Sequence, residues 1–419
     1  MRAGLLLRLA WRNLWRHGRR TVLTALGFAA GIFVLIFFLG LGDGLHEKMI
    51  ETGIRLASGH VVVEPRGARE RAGADLRLEP EVARAVRSVL ASAELSRYLR
   101  GTAPRLYASG LLSSARNSSG VRVVGADPAR EAGLSLLPER VVEGGFLDGG
   151  ARTPPVVLGS VLARKLGVGV GGRVVLMTQA GAEIESQLLR VRGIFETGMA
   201  DVDGHLVAMR LVDLQALLGR PGAISEQAIF LRRGDDAEIV RSLIAERLRR
   251  RPVAVLTWRK ALPQLAEFIV IDDAGNYLFN AVLLVMVALG VLNTVLMAVL
   301  ERRREFGLLA ALGLRPAGIA AMVVAEGALL TALGAAVGLA GGLAAYRYFA
   351  AHGLDISAMS DASFTAAGVA IDTVVHFYLY PGRVRACLGF IALLGFGAAL
   401  YPALRAAATP PRAATEDGA

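Results

Sequence analysis

The residues that could do chemistry in this chain are few and scattered. Asp201, Asp203 and His205 alternate, so on a strand they would face one way and could offer two carboxylates and an imidazole to a metal. A solvated turn accounts for the same cluster. The other histidines, His17, His46, His60, His352 and His376, lie far from it and supply no regular ligand spacing. A phosphate-binding loop needs glycines ahead of a Lys-Ser/Thr pair, so that backbone amides and an ammonium can wrap the phosphates. None of Lys48, Lys165 and Lys260 stands in that setting. A Gly-x-Ser-x-Gly elbow is also missing, and the lone Cys387, inside an apolar run, allows no intramolecular disulfide. The sequence gives no support for an enzyme. No catalytic, cofactor-binding or metal-binding residue is expected, and any nucleotide would bind to another chain.

The charges that remain conspicuous sit between two apolar runs. Leu278–Leu300 stops at Glu301-Arg302-Arg303-Arg304-Glu305, and Phe306-Gly307-Leu308-Leu309-Ala310-Ala311-Leu312-Gly313 follows. After Arg315-Pro316 a second long apolar run begins. This spacing predicts a membrane helix, a short charged helix at the membrane face closed by Gly313, and a helix going back. Glu301 and Arg304 are spaced to pair. Such a surface helix is suited to being pushed by a partner. Glu326 lies within the returning run, where an ionisable residue is a functional candidate. Its place near the start of that run favours a structural role instead, holding Arg315 or a neighbouring helix.

A hydrophobic share of 54% over 419 residues and a mean hydropathy of +0.48 are too apolar for an ordinary soluble domain. The net charge of +11 does not indicate nucleic acid, because many basic residues sit just outside apolar runs. Residues 1–20 are predicted as an amphipathic helix at the cytoplasmic interface. Leu7, Trp11, Leu14 and Trp15 share one face, and Arg8, Arg12, Arg16 and Arg19 form the neighbouring stripe. An uncleaved first membrane helix is expected over 21–42, followed by an α+β domain with stalk helices over 43–276. Helices over 277–300, 317–346 and 385–407 complete four crossings, with the charged helix at 301–316, a loop at 347–384 and a tail at 408–419. Arginine placement puts both termini inside and the large domain outside, although Arg383 and Arg385 lie at the wrong end of the last helix. The fold class is therefore integral membrane α-helical with a large α+β periplasmic domain between the first two helices. Gly27 with Gly31, and Gly334, Gly338 and Gly342, mark faces where helix backbones can approach closely.

The stretch from Asn293-Thr294-Val295-Leu296-Met297 through Gly313 resembles the coupling-helix signature of FtsX-like ABC transporter permeases, the MacB and LolC/LolE group. Ala10-Trp11-Arg12-Asn13-Leu14, Ser58-Gly59-His60-Val61, Gly193-Ile194-Phe195-Glu196-Thr197-Gly198 and Tyr401-Pro402-Ala403-Leu404-Arg405 are similar to other family elements, so the likeness spans almost the whole chain. The usual Pro-x-Glu-Ala ending is degraded to Pro410-Pro411-Arg412-Ala413-Ala414. The resemblance implies a bacterial inner-membrane permease, paired with an identical or homologous permease. It also implies a cytoplasmic ABC ATPase that binds ATP and Mg. Glu301, Arg302, Arg304, Glu305, Phe306, Leu308, Leu309 and Gly313 would couple to that ATPase. It further implies mechanotransmission to the periplasmic domain, with lipoprotein release or export of another amphiphilic substrate, and a periplasmic carrier as a further partner. An FtsX-like scaffold that activates an extracytoplasmic partner without transport is the alternative.

Overall fold

The computed structural model describes residues 3–16, 18–70, 76–148, 153–181, 183–355, 365–366, 369–370 and 374–408. It opens with α1 (Ala3–Arg16) and α2 (Gly18–Leu56), then β1 (Val61–Pro65), α3 (Pro80–Leu90), α4 (Ala93–Ser96), β2 (Leu99–Ser113) and β3 (Ser118–Ala126). Next come α5 (Pro128–Glu131), β4 (Val141–Gly144), β5 (Pro155–Gly159), α6 (Ser160–Leu166), β6 (Arg173–Ala180), β7 (Glu183–Phe195) and α7 (Ala200–His205). The soluble part ends with β8 (Leu206–Arg210), α8 (Leu211–Leu217), β9 (Glu226–Leu231), α9 (Ala237–Arg247), β10 (Val253–Thr257) and α10 (Trp258–Ala261). Then follow α11 (Pro263–Glu301), α12 (Arg303–Ala311), α13 (Pro316–His352), short strand pairs and a final helix, α14 (Pro381–Ala407).

Two compact units result. One holds residues 1–47, 270–359 and 373–419, the other residues 48–269 and 360–372. Among the described residues, four helices are long and apolar enough to cross a membrane: Thr21–Leu56, Pro263–Glu301, Pro316–His352 and Pro381–Ala407. α11 has 39 residues; at 1.5 Å per residue it is almost twice as long as a ~30 Å hydrocarbon layer is thick. The third apolar helix continues past the expected end at Tyr346 to His352, because Phe349 packs on Phe37 and Phe377 with ring centroids 5.8 and 5.0 Å apart. The last helix starts at Pro381 rather than Arg385, since a proline at the first helical turn needs no N–H partner.

The glycine triple of α13 lies on α2. A Cβ built on Gly334, Gly338 or Gly342 would come within 2.7 Å of Phe28, 2.5 Å of the Ala29 carbonyl oxygen and 2.8 Å of Ile36, respectively. Gly31 meets Val287 of α11. Gly27 does not share this role: nothing lies within 4 Å of a Cβ there. A four-residue spacing puts two glycines on roughly one face without saying that a neighbour covers both ends of it.

The second unit is built on one sheet of β1–β10, ordered β10-β1-β9-β2-β3-β8-β5-β7-β4, with β6 against β2 and β7. β1 carries Val61-Val62-Val63 and is buried on both faces between antiparallel β9 and β10. The hinge into it is Gly59, whose φ of +73° and contact with the Ile229 backbone leave no room for a side chain. β2 is long enough to pair with β9 at one end and with β3 and β6 at the other. Asp201, Asp203 and His205 lie on the short helix α7, not on a strand or in a solvated turn. Asp203 is buried and accepts hydrogen bonds from the Thr197 and Gly198 amides and the Thr197 hydroxyl, which fixes the preceding turn.

Candidate coupling site

α12 is the short charged helix that the sequence places between two apolar runs. It ends in a Schellman turn. The Gly313 amide donates to the Ala310 carbonyl and the Leu314 amide to the Leu309 carbonyl, with Gly313 at φ +88°. Pro316 then starts α13 in its first turn. The sequence at this corner thus dictates both a stop and a restart.

A chain of charges fixes the helix from the inside. Arg302 donates through Nε to Glu305 at 2.8 Å and through Nη1 to both carboxylate oxygens of Glu326 at 2.9 and 3.0 Å. Arg16 of α1 closes on the same Glu305 at 2.7 Å. Glu326 therefore has the structural role expected of it, but its partner here is Arg302, whose guanidinium reaches it from just past the end of α11. The hydrogen bond from Arg302, joined by the charges of Arg302 and Arg16, holds the Glu305 carboxyl below its ordinary range against the effect of burial. Burial opposes the charge on Arg302, yet Glu326 and Glu305 outweigh it and hold the guanidinium firmly protonated. The guanidinium also lies 5.3 Å from the Phe306 ring centre.

These contacts sort the expected coupling residues into two groups. Phe306 is fully buried, Leu309 packs on the same apolar cluster as Phe306, and Arg302 and Glu305 are engaged within the molecule. Their expected place is at the partner contact; here they brace the helix. The opposite face carries Arg304, Leu308, Ala311 and Leu312 at i, i+4, i+7 and i+8, all exposed, with Leu308 53% and Leu312 80% accessible. Leu312 stands outside the expected set of coupling residues. Its signal was available, since it falls one helical turn beyond Leu308. Glu301 is exposed at the end of α11 and Gly313 at the corner.

The same helices carry a second charged knot at the end remote from α12. Arg383, one of the two arginines that offend the charge bias, is held by Asp43 of α2 and by Asp273 of α11 at 2.7 and 2.8 Å. His46 meets Asp272 at 2.6 Å, and the Tyr380 hydroxyl donates to Glu47 at 2.9 Å. Arg383 is thus neutralised by a clasp joining α2, α11 and α14.

In the sheet unit, Arg105 forms a buried two-pronged pair with Glu131 at 2.8 and 2.9 Å and reaches the Leu56 carbonyl, at the end of α2, at 3.5 Å. Arg69 joins Glu64 to the Ala261 carbonyl, just ahead of α11. Burial raises the Glu226 carboxyl, whose partner is the Tyr107 hydroxyl at 3.0 Å. Among the described residues, no group of three His, Cys, Asp or Glu is placed to hold a metal. The tail motif at 410–414 lies outside the described residues.

Long apolar helices, a braced surface helix and one α+β sheet unit define a multi-span membrane protein with an extramembrane domain. Comparison with known proteins is specific. The MacB-like periplasmic core domain matches residues 21–247, more than half of the chain, and the FtsX-like permease C-terminal domain matches residues 277–411. The chain belongs to the FtsX-like, MacB-type family of ABC transporter permeases. It is 25% identical to the lipoprotein-releasing system transmembrane protein LolC of Xylella fastidiosa, over 92% of this chain and 91% of that one. It is also 25% identical to the macrolide export ATP-binding/permease protein MacB of Nitrobacter winogradskyi, over 76% of this chain and 49% of that one. The crystal structure of the periplasmic region of MacB from Actinobacillus actinomycetemcomitans aligns with 51% of this chain and 94% of its own, at 11% identity and a TM-score of 0.37.

Proposed function

We propose that this chain is the permease subunit of an ATP-driven mechanotransmission complex that releases lipoproteins, or exports a related amphiphile, from the inner membrane. A separate cytoplasmic ABC ATPase binds ATP and Mg, and a second permease, identical or homologous, completes the membrane part. Both termini and α12 face the cytoplasm. The observation that carries this reading is the divided character of α12. One face is anchored by Phe306 and the Arg16–Glu305–Arg302–Glu326 chain, and the other presents Leu308 and Leu312, with Arg304 beside them, as exposed side chains. A helix anchored on one side can pass a push to the spans it joins. The likeness to LolC along nearly the full length of both chains supports lipoprotein as the cargo class.

The test has two stages. Affinity purification of the full chain from its own host should bring down an ABC ATPase, and a Leu308→Glu, Leu312→Glu double variant should lose it while remaining folded. Depletion should then leave lipoproteins in the inner membrane. Normal lipoprotein sorting together with a division or wall defect would instead favour a scaffold that signals without transport.

A further inference from the structure

Separate from α12 and its partner, the N-terminal helix offers a recess of about 390 Å³ lined by Arg8, Trp11, Arg12 and Leu329. Its wall is hydrocarbon and indole: the stems of two arginines, one tryptophan, and a leucine of the membrane-length helix α13. Its rim is cationic. Arg8 and Arg12 are exposed, stand one helical turn apart and have no carboxylate partner among the described residues. The first acidic residue in the chain is Asp43, so no acidic neighbour in α1 dilutes this charge. Trp11 and Trp15, each 49% accessible, meet edge to face at 5.9 Å, and Val22, Leu23 and Leu26 continue the exposed apolar surface along α2.

We propose that this recess is a binding site for an anionic phospholipid. The headgroup phosphate is bridged by the Arg8 and Arg12 guanidiniums, and an acyl chain lies on Trp11 and Leu329. A soluble phosphate would meet the same two guanidiniums but would gain nothing from an apolar wall. A zwitterionic lipid brings its own ammonium or choline cation to a rim that is already doubly positive. An anionic lipid satisfies both halves of the site, with the charge outward at headgroup level and hydrocarbon inward. Because α1 also carries Arg16 to Glu305, the lipid would be seated on the helix that braces α12.

The test uses the full chain with Trp15→Phe and Trp258→Phe, which leaves Trp11 as the only tryptophan. Reconstitution into nanodiscs containing brominated phosphatidylglycerol or brominated phosphatidylcholine reads contact through quenching of Trp11. Half-maximal quenching is expected at a roughly five- to tenfold lower mole fraction of phosphatidylglycerol. Arg8→Gln with Arg12→Gln should bring the two lipids level, whereas the lysine pair should keep most of the preference. Arg19→Gln, which removes an exposed arginine outside the recess, should leave the preference intact. Excess glycerol phosphate should not reverse the quenching. Equal quenching by both lipids in the parent, or an equal loss of preference with Arg19→Gln, overturns the site. Displacement by glycerol phosphate would show a soluble-anion site and overturns the lipid assignment.

Discussion

At the scale of single residues, the bracing of α12 depends on two side chains that sequence separates widely. Removing Arg302 would take from the largely buried Glu326 carboxyl the guanidinium that bonds both its oxygens, which costs about 2–4 kcal/mol at partial exposure. Arg302→Ala should therefore lower the thermal unfolding temperature in detergent by several degrees. Arg302→Met with Glu326→Gln should recover much of that loss, and Arg304→Ala should change it little; equal shifts for both single variants would remove the brace. That Glu326 would have a structural partner was legible from its place near the start of an apolar run. Which arginine it binds was not, because α11 and α13 meet only in three dimensions. His60 gives a second prediction in the sheet unit. Burial, helped by the charge of Arg100, pushes its imidazole down to about 4, and Nδ1 accepts the Leu231 amide, a role only the neutral ring can fill. The unfolded chain takes up this proton near pH 6.5 and the folded one only near 4, so the contribution is intact above 6.5 and falls away between those values. Stability should drop from pH 7 to pH 5 more steeply in the parent than in His60→Gln, as read by parallel thermal melts; parallel slopes would assign the loss to other groups.

At the scale of elements, legibility followed the cost of breaking a pattern. Short strands such as Pro155–Gly159 and helices such as Ser160–Leu166 announce themselves by apolar runs and a terminal glycine. β2, the longest strand, was hidden because Gly101, Pro104 and Gly110 interrupt it and Arg105 sits buried at its centre. The glycine faces show the same limit, since spacing marks the candidates and only packing selects among them. Gly338→Ala places a methyl group on the Ala29 carbonyl oxygen, and α2 and α13 must separate. Gly27→Ala meets open space and should be neutral or gain up to ~1 kcal/mol through helix propensity. Gly313→Ala also meets no atom, so its cost, about 1 kcal/mol, comes from the left-handed backbone alone. Thermal melts of the three variants should rank Gly338→Ala lowest, Gly313→Ala next and Gly27→Ala at or above the parent. A different order would contradict the packing.

For the whole molecule, continuity of two helices links the parts. α2 and α11 each run unbroken through the boundary between the span unit and the sheet unit, α2 from Gly18 to Leu56 and α11 from Pro263 to Glu301. At the sheet end, their backbones are held by arginines: Arg105 on the Leu56 carbonyl and Arg69 on the Ala261 carbonyl. Near the other end of α11, Arg302 ties Glu305 of α12 to Glu326 of α13. If the proposed function holds, a push on α12 travels along α11, and that helix can be broken without touching any contact of α12. Ile271 is 73% accessible, so Ile271→Ala should be close to silent. Ile271→Pro deletes one backbone hydrogen bond and kinks the helix at a local cost of ~3 kcal/mol. The proline variant should still reach the membrane and retain its ATPase, because Arg304, Leu308 and Leu312 are untouched. It should nonetheless leave lipoproteins in the inner membrane as severely as depletion does. Release at the parental rate from a folded, ATPase-bound Ile271→Pro complex would mean that force does not pass along α11.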